Sequence, residues 1–189
     1  MIGKLYRMEP IMTQQSLVIS ALGEDRPGIV NAVSSLVLQH QCNIADSRMA
    51  VLGGEFAIIL RAIGTAENIA ALQRSLPDLQ QPLGLTLIAK LTGTRSTPGD
   101  RLPYRVTAVS IDHPGIVQQI AEFFSRRQIN IEDLETDSYP AAHTGTALFR
   151  ISMQVLVPAD QRLQELKEQF AGFCDELNID MSMTAADKR

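Results

Sequence analysis

Two short segments bring together groups suited to holding a small molecule that carries both charges. Asp25-Arg26-Pro27-Gly28-Ile29 returns as Asp112-His113-Pro114-Gly115-Ile116, 87 positions further on. Each is a Pro-Gly turn where an apolar strand pattern gives way to helical spacing. At such a turn the first N–H groups of the helix have no partner within it, and the helix dipole adds partial positive charge. A carboxylate docks well at such an end. Gly28 and Gly115 lack a Cβ, so a ligand can approach the backbone closely. Asp25 and Asp112 stand just before the turn, where they could accept hydrogen bonds from an ammonium group. Together these groups suit a free amino acid. Asn43-Ile44 returns as Asn130-Ile131 with the same separation, and all four residues join the candidate ligand contacts. Plainer readings stand beside these: an Asp can cap a helix, a Gly can merely shape a turn, and an Asn can end a helix in a left-handed conformation.

The constant separation marks two copies of one small domain, and the elements that position the turns repeat with it. Leu17–Leu22 reads as a strand, and Pro27 suits the first turn of a helix. Ile29, Val30, Val33, Leu36 and Val37 then mark one helical face, repeated by Ile116, Val117, Ile120, Phe123 and Phe124. A strand from Asn43 to about Leu52 leads to a Gly53-Gly54 hairpin and a central strand, Phe56–Ile63. Thr65 can cap a helix with core positions Ile69, Leu72 and Leu76. Leu83, Leu85, Leu87, Ala89 and Leu91 alternate as a last strand. The second copy reads Val106–Ser110, a helix, Asn130–Ser138, and a strand through Phe149, Ile151, Met153 and Val155. A helix follows through Leu163, Leu166 and Phe170, with Asp160 as its candidate cap, and then a strand through Leu177, Ile179, Met181 and Met183. Tyr139–Gly145 is an insertion relative to the first copy. The order β-α-β-β-α-β, twice, is an α+β class: two tandem ferredoxin-like domains, each an antiparallel four-stranded sheet with two helices on one face. The expected boundaries are an extension at 1–12, a first domain at 13–93, a linker at 94–102, a second domain at 103–185 and a tail at 186–189.

Composition narrows the function. The chain of 189 residues has 45% hydrophobic and 20% charged residues and a net charge of −4. No apolar run approaches a membrane span, and the start lacks the apolar core of a signal peptide, so a cytoplasmic protein is expected. The basic patch of a nucleic-acid-binding surface is missing, which disfavours direct DNA contact. No nucleophile–base or metal-ligand constellation appears, so neither an enzyme nor a cofactor or metal site is expected. Cys42 and Cys174 form no redox or metal motif; Cys42 reads as a buried small apolar residue between a helix and a strand, and a disulfide between the two is not expected in the cytosol. Glu132, Asp133, Glu135 and Asp137 form an acidic stripe that could meet a basic protein partner. Domains of about 80 residues bury limited surface, which leaves room for homo-oligomers.

The two Asp-x-Pro-Gly turns, the helix-Asn-Ile junctions and the doubled element order resemble tandem ACT domains over nearly all of residues 13–185. The resemblance implies regulatory modules that bind amino acids, usually between two domains. A narrower likeness lies in the first copy. Ala21-Leu22-Gly23-Glu24-Asp25-Arg26-Pro27-Gly28-Ile29-Val30-Asn31 and Cys42-Asn43-Ile44-Ala45-Asp46-Ser47-Arg48, followed by Gly53, Glu55 and Phe56, resemble the glycine cleavage system transcriptional repressor family. That resemblance implies a repressor that acts on a DNA-bound activator protein and responds to glycine. A stand-alone regulatory subunit that binds an amino acid and controls a metabolic enzyme is the alternative.

Overall fold

A computed structural model describes residues 14–93, 100–142 and 144–186. The expected extension at 1–12, linker residues 94–99, His143 and tail residues 187–189 lie outside the described residues. The chain divides into two compact units, Met1–Arg95 and Ser96–Arg189.

The first unit runs β1 (Gln14–Glu24), α1 (Ile29–Gln39), β2 (Asn43–Leu52), β3 (Glu55–Thr65), α2 (Ala66–Ser75), α3 (Pro77–Leu83) and β4 (Thr86–Thr92). The second runs β5 (Arg101–Ile111), α4 (Ile116–Ser125), β6 (Asn130–Pro140), β7 (Ala147–Pro158), α5 (Leu163–Glu176) and β8 (Asp180–Ala185). Both sheets are antiparallel, in the orders β2-β3-β1-β4 and β6-β7-β5-β8. The doubled ferredoxin-like arrangement expected from the sequence is therefore present.

Period-two alternation sends Leu17, Ile19 and Ala21 of β1 and Phe56, Ile58 and Leu60 of β3 to one face. There they bury against Ile29, Val33 and Val37 of α1 and Ile69 and Leu72 of α2. The second core is more aromatic. Phe123, Phe124 and Phe170 pack beneath α4 and α5, with the Phe124 and Phe170 ring centroids 5.0 Å apart. Each fully buried side chain of this size contributes about 1.5–3 kcal/mol. Cys42 and Cys174 are free and buried, one in each core. Burial raises the Cys42 thiol, and burial together with the Asp175 charge pushes the Cys174 thiol up to about 12.

The structure moves several expected positions. Val30 and Val117, placed by their spacing in the core stripe, are exposed on the first turns of α1 and α4. Residues 77–83 form a helix, α3, started by Pro77 and closed by a left-handed Gly84. Leu83 thus ends a helix, and the last strand begins only at Thr86. Leu177 is likewise the cap of α5, and β8 begins at Asp180. Asp160 does not cap α5, whose N-cap is Arg162 without a side-chain bond. Thr65 does cap α2, its hydroxyl accepting the Asn68 N–H at 3.2 Å. Arg101 and Leu102, read as linker, already pair with Pro158 and Val157 in the second sheet.

Candidate functional site

β1 ends at Glu24, and the Asp25 N–H extends the ladder by donating to the Gly54 carbonyl at 3.0 Å. The chain must then reverse so that α1 can run back along the sheet. Pro27 stiffens the turn, and Gly28 makes it with φ 100°, a left-handed value that a Cβ resists. The helix starts at Ile29, so Pro27 precedes the cap instead of occupying the first helical turn. The second unit repeats this. The Asp112 N–H donates to the Ala147 carbonyl at 3.1 Å, Gly115 has φ 99°, and α4 starts at Ile116. The Gly28 carbonyl accepts the Ala32 N–H at 2.9 Å, and the Gly115 carbonyl accepts the Gln119 N–H at 3.0 Å.

Neither aspartate caps its helix. No side chain accepts a bond at the N-terminus of α1 or α4, and neither first turn holds an acidic residue. The other helices differ: Glu67, Asp78 and Glu165 stand in the first turns of α2, α3 and α5. Among the described helices, α1 and α4 are therefore the ones with no acidic residue in the first turn to offset the positive helix end.

The two turns are not equivalent. Asp112 Oδ2 accepts the Ser138 hydroxyl at 3.0 Å. The Asp25 carboxylate is exposed and makes no hydrogen bond or ion pair among the described residues. Arg26 Nη2 donates to the Pro82 carbonyl at 2.8 Å, which ties its guanidinium to α3. His113 keeps its ring nitrogen Nδ1 3.2 Å from the Pro114 carbonyl oxygen. A Cβ placed on Gly28 would meet nothing within 4 Å, whereas one on Gly115 would lie 3.5 Å from Gln119 Nε2. The first turn is open above its glycine, and the second is partly closed by an amide. Ile29 and Ile116 are buried core residues, so each can offer a ligand only its backbone.

The Asn-Ile junctions lie elsewhere. Asn43 opens β2 opposite Ile63, which in turn pairs with Ser16 near the start of β1. Gly28 follows the other end of β1. The 11-residue helix between them spans about 16 Å, so one unit does not bring Asn43 and Ile44 together with its own Pro-Gly turn. Asn130 and Ile131 stand in the same relation to Gly115, beyond α4. The left-handed residues after these helices are Gln41 (φ 54°) and Gln128 (φ 56°) rather than the asparagines. Both junctions carry a bulge, between Ile44 and Asp46 and between Ile131 and Asp133. A hollow of about 500 Å³ adjoins the second junction, lined by Arg101, Ser125, Gln128, Asn130 and Ile131 among others.

Residues the sequence did not single out complete this picture. Ser138 engages Asp112, and Pro82 supplies the carbonyl for Arg26. Arg101 donates to the Gln128 carbonyl at 3.4 Å from a position read as linker. Among the described residues no group of three or more His, Cys, Asp or Glu could hold a metal ion. Nor is any described helix long and apolar enough to cross a membrane.

Comparison with known proteins agrees with this architecture. The ACT domain family model matches residues 15–90. The chain is 32% identical over 173 residues to the glycine cleavage system transcriptional repressor of Escherichia coli (strain K12), covering 92% of this chain and 91% of that protein. A crystal structure of a candidate glycine cleavage system transcriptional repressor superposes with a TM-score of 0.71 at 32% identity, covering 93% of this chain and 99% of that one. A protein of unknown function from Galdieria sulphuraria superposes with a TM-score of 0.75 at 28% identity, covering 93% and 100%. Identity at this level across nearly the full length of both chains, on the same doubled fold, makes this chain a member of the glycine cleavage system transcriptional repressor family.

Proposed function

We propose that the protein is a non-enzymatic, cytoplasmic regulator that senses a free amino acid at the Pro-Gly turn of its first unit. Glycine is the first candidate, and the output is contact with a DNA-bound activator of the glycine cleavage genes. The observation that carries the ligand site is the N-terminus of α1, with no capping side chain, no acidic residue in its first turn and open space above Gly28. The ligand carboxylate accepts the first N–H groups of α1, and its ammonium donates to the Asp25 carboxylate. The second turn, with Asp112 held by Ser138, is the weaker of the two. Within one unit, Asn43 and Ile44, or Asn130 and Ile131, do not reach a ligand at that unit's own turn. The identity of the ligand and of the protein partner is supported by family membership, and the net charge of −4 agrees with a regulator that leaves DNA contact to another protein.

Thermal unfolding with glycine and the other common amino acids tests the reading. A ligand at about 100 times its Kd stabilises a single-site protein by roughly 2.7 kcal/mol. A rise in Tm with glycine alone supports both the sensor and its ligand. A rise with a different amino acid keeps the sensor and removes glycine. No rise with any of them removes the sensor.

A further inference from the structure

The sheet faces that the helices leave uncovered differ between the two units. One row across the first sheet reads Arg48, Ile59, Ser20, Ile88. The same row of the second sheet reads Glu135, Ser152, Thr107, Ser182. Ile59 is 49% exposed and Ile88 67%, and Leu22 beside them is 52% exposed. The duplicated domain is its own control here: one backbone plan accepts serine at both isoleucine positions, so the fold does not require apolar residues there. Exposed apolar side chains gathered on one sheet face in this way mark an interaction surface.

We infer that the uncovered face of the first sheet is a self-association surface, occupied by the same face of a second copy of this chain. The charge pattern favours this occupant. The neighbouring row reads Asp46, Arg61, Val18, Lys90, with a carboxylate on the β2 edge and an ammonium on the β4 edge. A copy turned over about an axis along the strands lays β2 over the partner's β4. Asp46, which already holds Arg61 at 2.7 Å, then meets Lys90 of the partner subunit, twice by symmetry. Ile59 and Leu22, on the two central strands, lie between these two contacts, and Ile88 flanks Lys90 on β4, where two sheets pack about 10 Å apart. Four strands measure roughly 20 Å by 30 Å in plan, or about 600 Å². That is close to the ~800 Å² of accessible surface that each partner of a standard interface buries.

This inference does not depend on amino-acid binding, so a failed ligand titration leaves it standing. Sedimentation of the full chain over a concentration series tests it. The expected result is a concentration-dependent dimer that Ile59→Glu weakens about tenfold or more. Ser152→Glu, at the twin position of the second unit, leaves the dimer unchanged. Lys90→Asp weakens the dimer, and the double variant Asp46→Lys with Lys90→Asp recovers it. Should Ile59→Glu fail to fold, Ile88→Lys, at the more exposed position, gives the same readout. A wild-type monomer at every concentration overturns the inference. So does a dimer that responds equally to Ile59→Glu and Ser152→Glu, or a double variant that recovers nothing.

Discussion

Replacing Gly28 with Ala separates what the turn does for the fold from what it does for a ligand. The added Cβ meets no atom within 4 Å, so a clash contributes nothing. The penalty comes from φ 100° alone. A non-glycine residue held in such a region costs about 1–3 kcal/mol. Stiffening of the unfolded chain returns about 0.4–1 kcal/mol, for a net loss of about 1–2 kcal/mol. In a unit of this size each kcal/mol moves the midpoint by roughly 4–8 °C, so calorimetry should find the first unit's transition lowered by roughly 5–15 °C. Gly115→Ala, at φ 99°, should lower the second unit's transition by a similar amount. The same Cβ occupies the open space above the first turn, so Gly28→Ala should also abolish the Tm rise given by the ligand, and Gly115→Ala should keep it. Equal stability of Gly28→Ala and wild type would refute the left-handed turn. A full ligand-induced rise in folded Gly28→Ala would refute that turn as the binding place.

Three further outcomes follow from the same geometry. Thr65→Ala should lower the stability of the first unit by about 1 kcal/mol in urea unfolding, because the Asn68 N–H loses its acceptor; no change would mean that water caps α2 equally well. Gln41→Gly and Gln128→Gly should each stabilise the chain by up to about 1 kcal/mol, since both residues sit at positive φ; a loss in either would mean that the side chain repays the strain. Cys174 should resist thiol reagents in the native state at neutral pH and react once denaturant is added. Its raised pKa, about 12, means that the thiol's contribution to stability is complete below the usual thiol range of pH 8–9 and is lost as pH rises towards 12. Rapid native labelling of Cys174 would contradict its burial.

The repeat was the most legible part of the chain, because a constant separation of 87 fixes both turns and both core stripes at once. Elsewhere the local chemistry is ambiguous. Leu83-x-Leu85-x-Leu87 alternates like a strand, yet Pro77 opens a helical turn that consumes Leu83. Leu177 was lost in the same way to the last turn of α5. Pro27 looked helical because proline favours the first helical position, but the positive φ of Gly28 moves the start beyond it. The left-handed positions after α1 and α4 fell to Gln41 and Gln128, which carry no compositional signal for it. The residues expected to hold a ligand do not form one constellation within a unit. Asn43 lies 15 positions after Gly28, but those positions are nearly all helix, and a helix converts nearness in sequence into separation in space.

The closure of each sheet within its own unit also sets the order in which the chain can fold during synthesis. The first sheet takes all four strands from Gln14–Thr92, and β1 pairs with β4, the last of them. Nothing in that sheet waits for a strand from the second unit. At about 5–20 residues per second, the ribosome needs roughly 5–20 s to add the second unit once the first has been made. During that interval the nascent first unit can already be native, with the apolar face carrying Ile59 and Ile88 in place. Polysomes would then hold several such units side by side, and pairing of neighbouring nascent chains could begin before either protein is released.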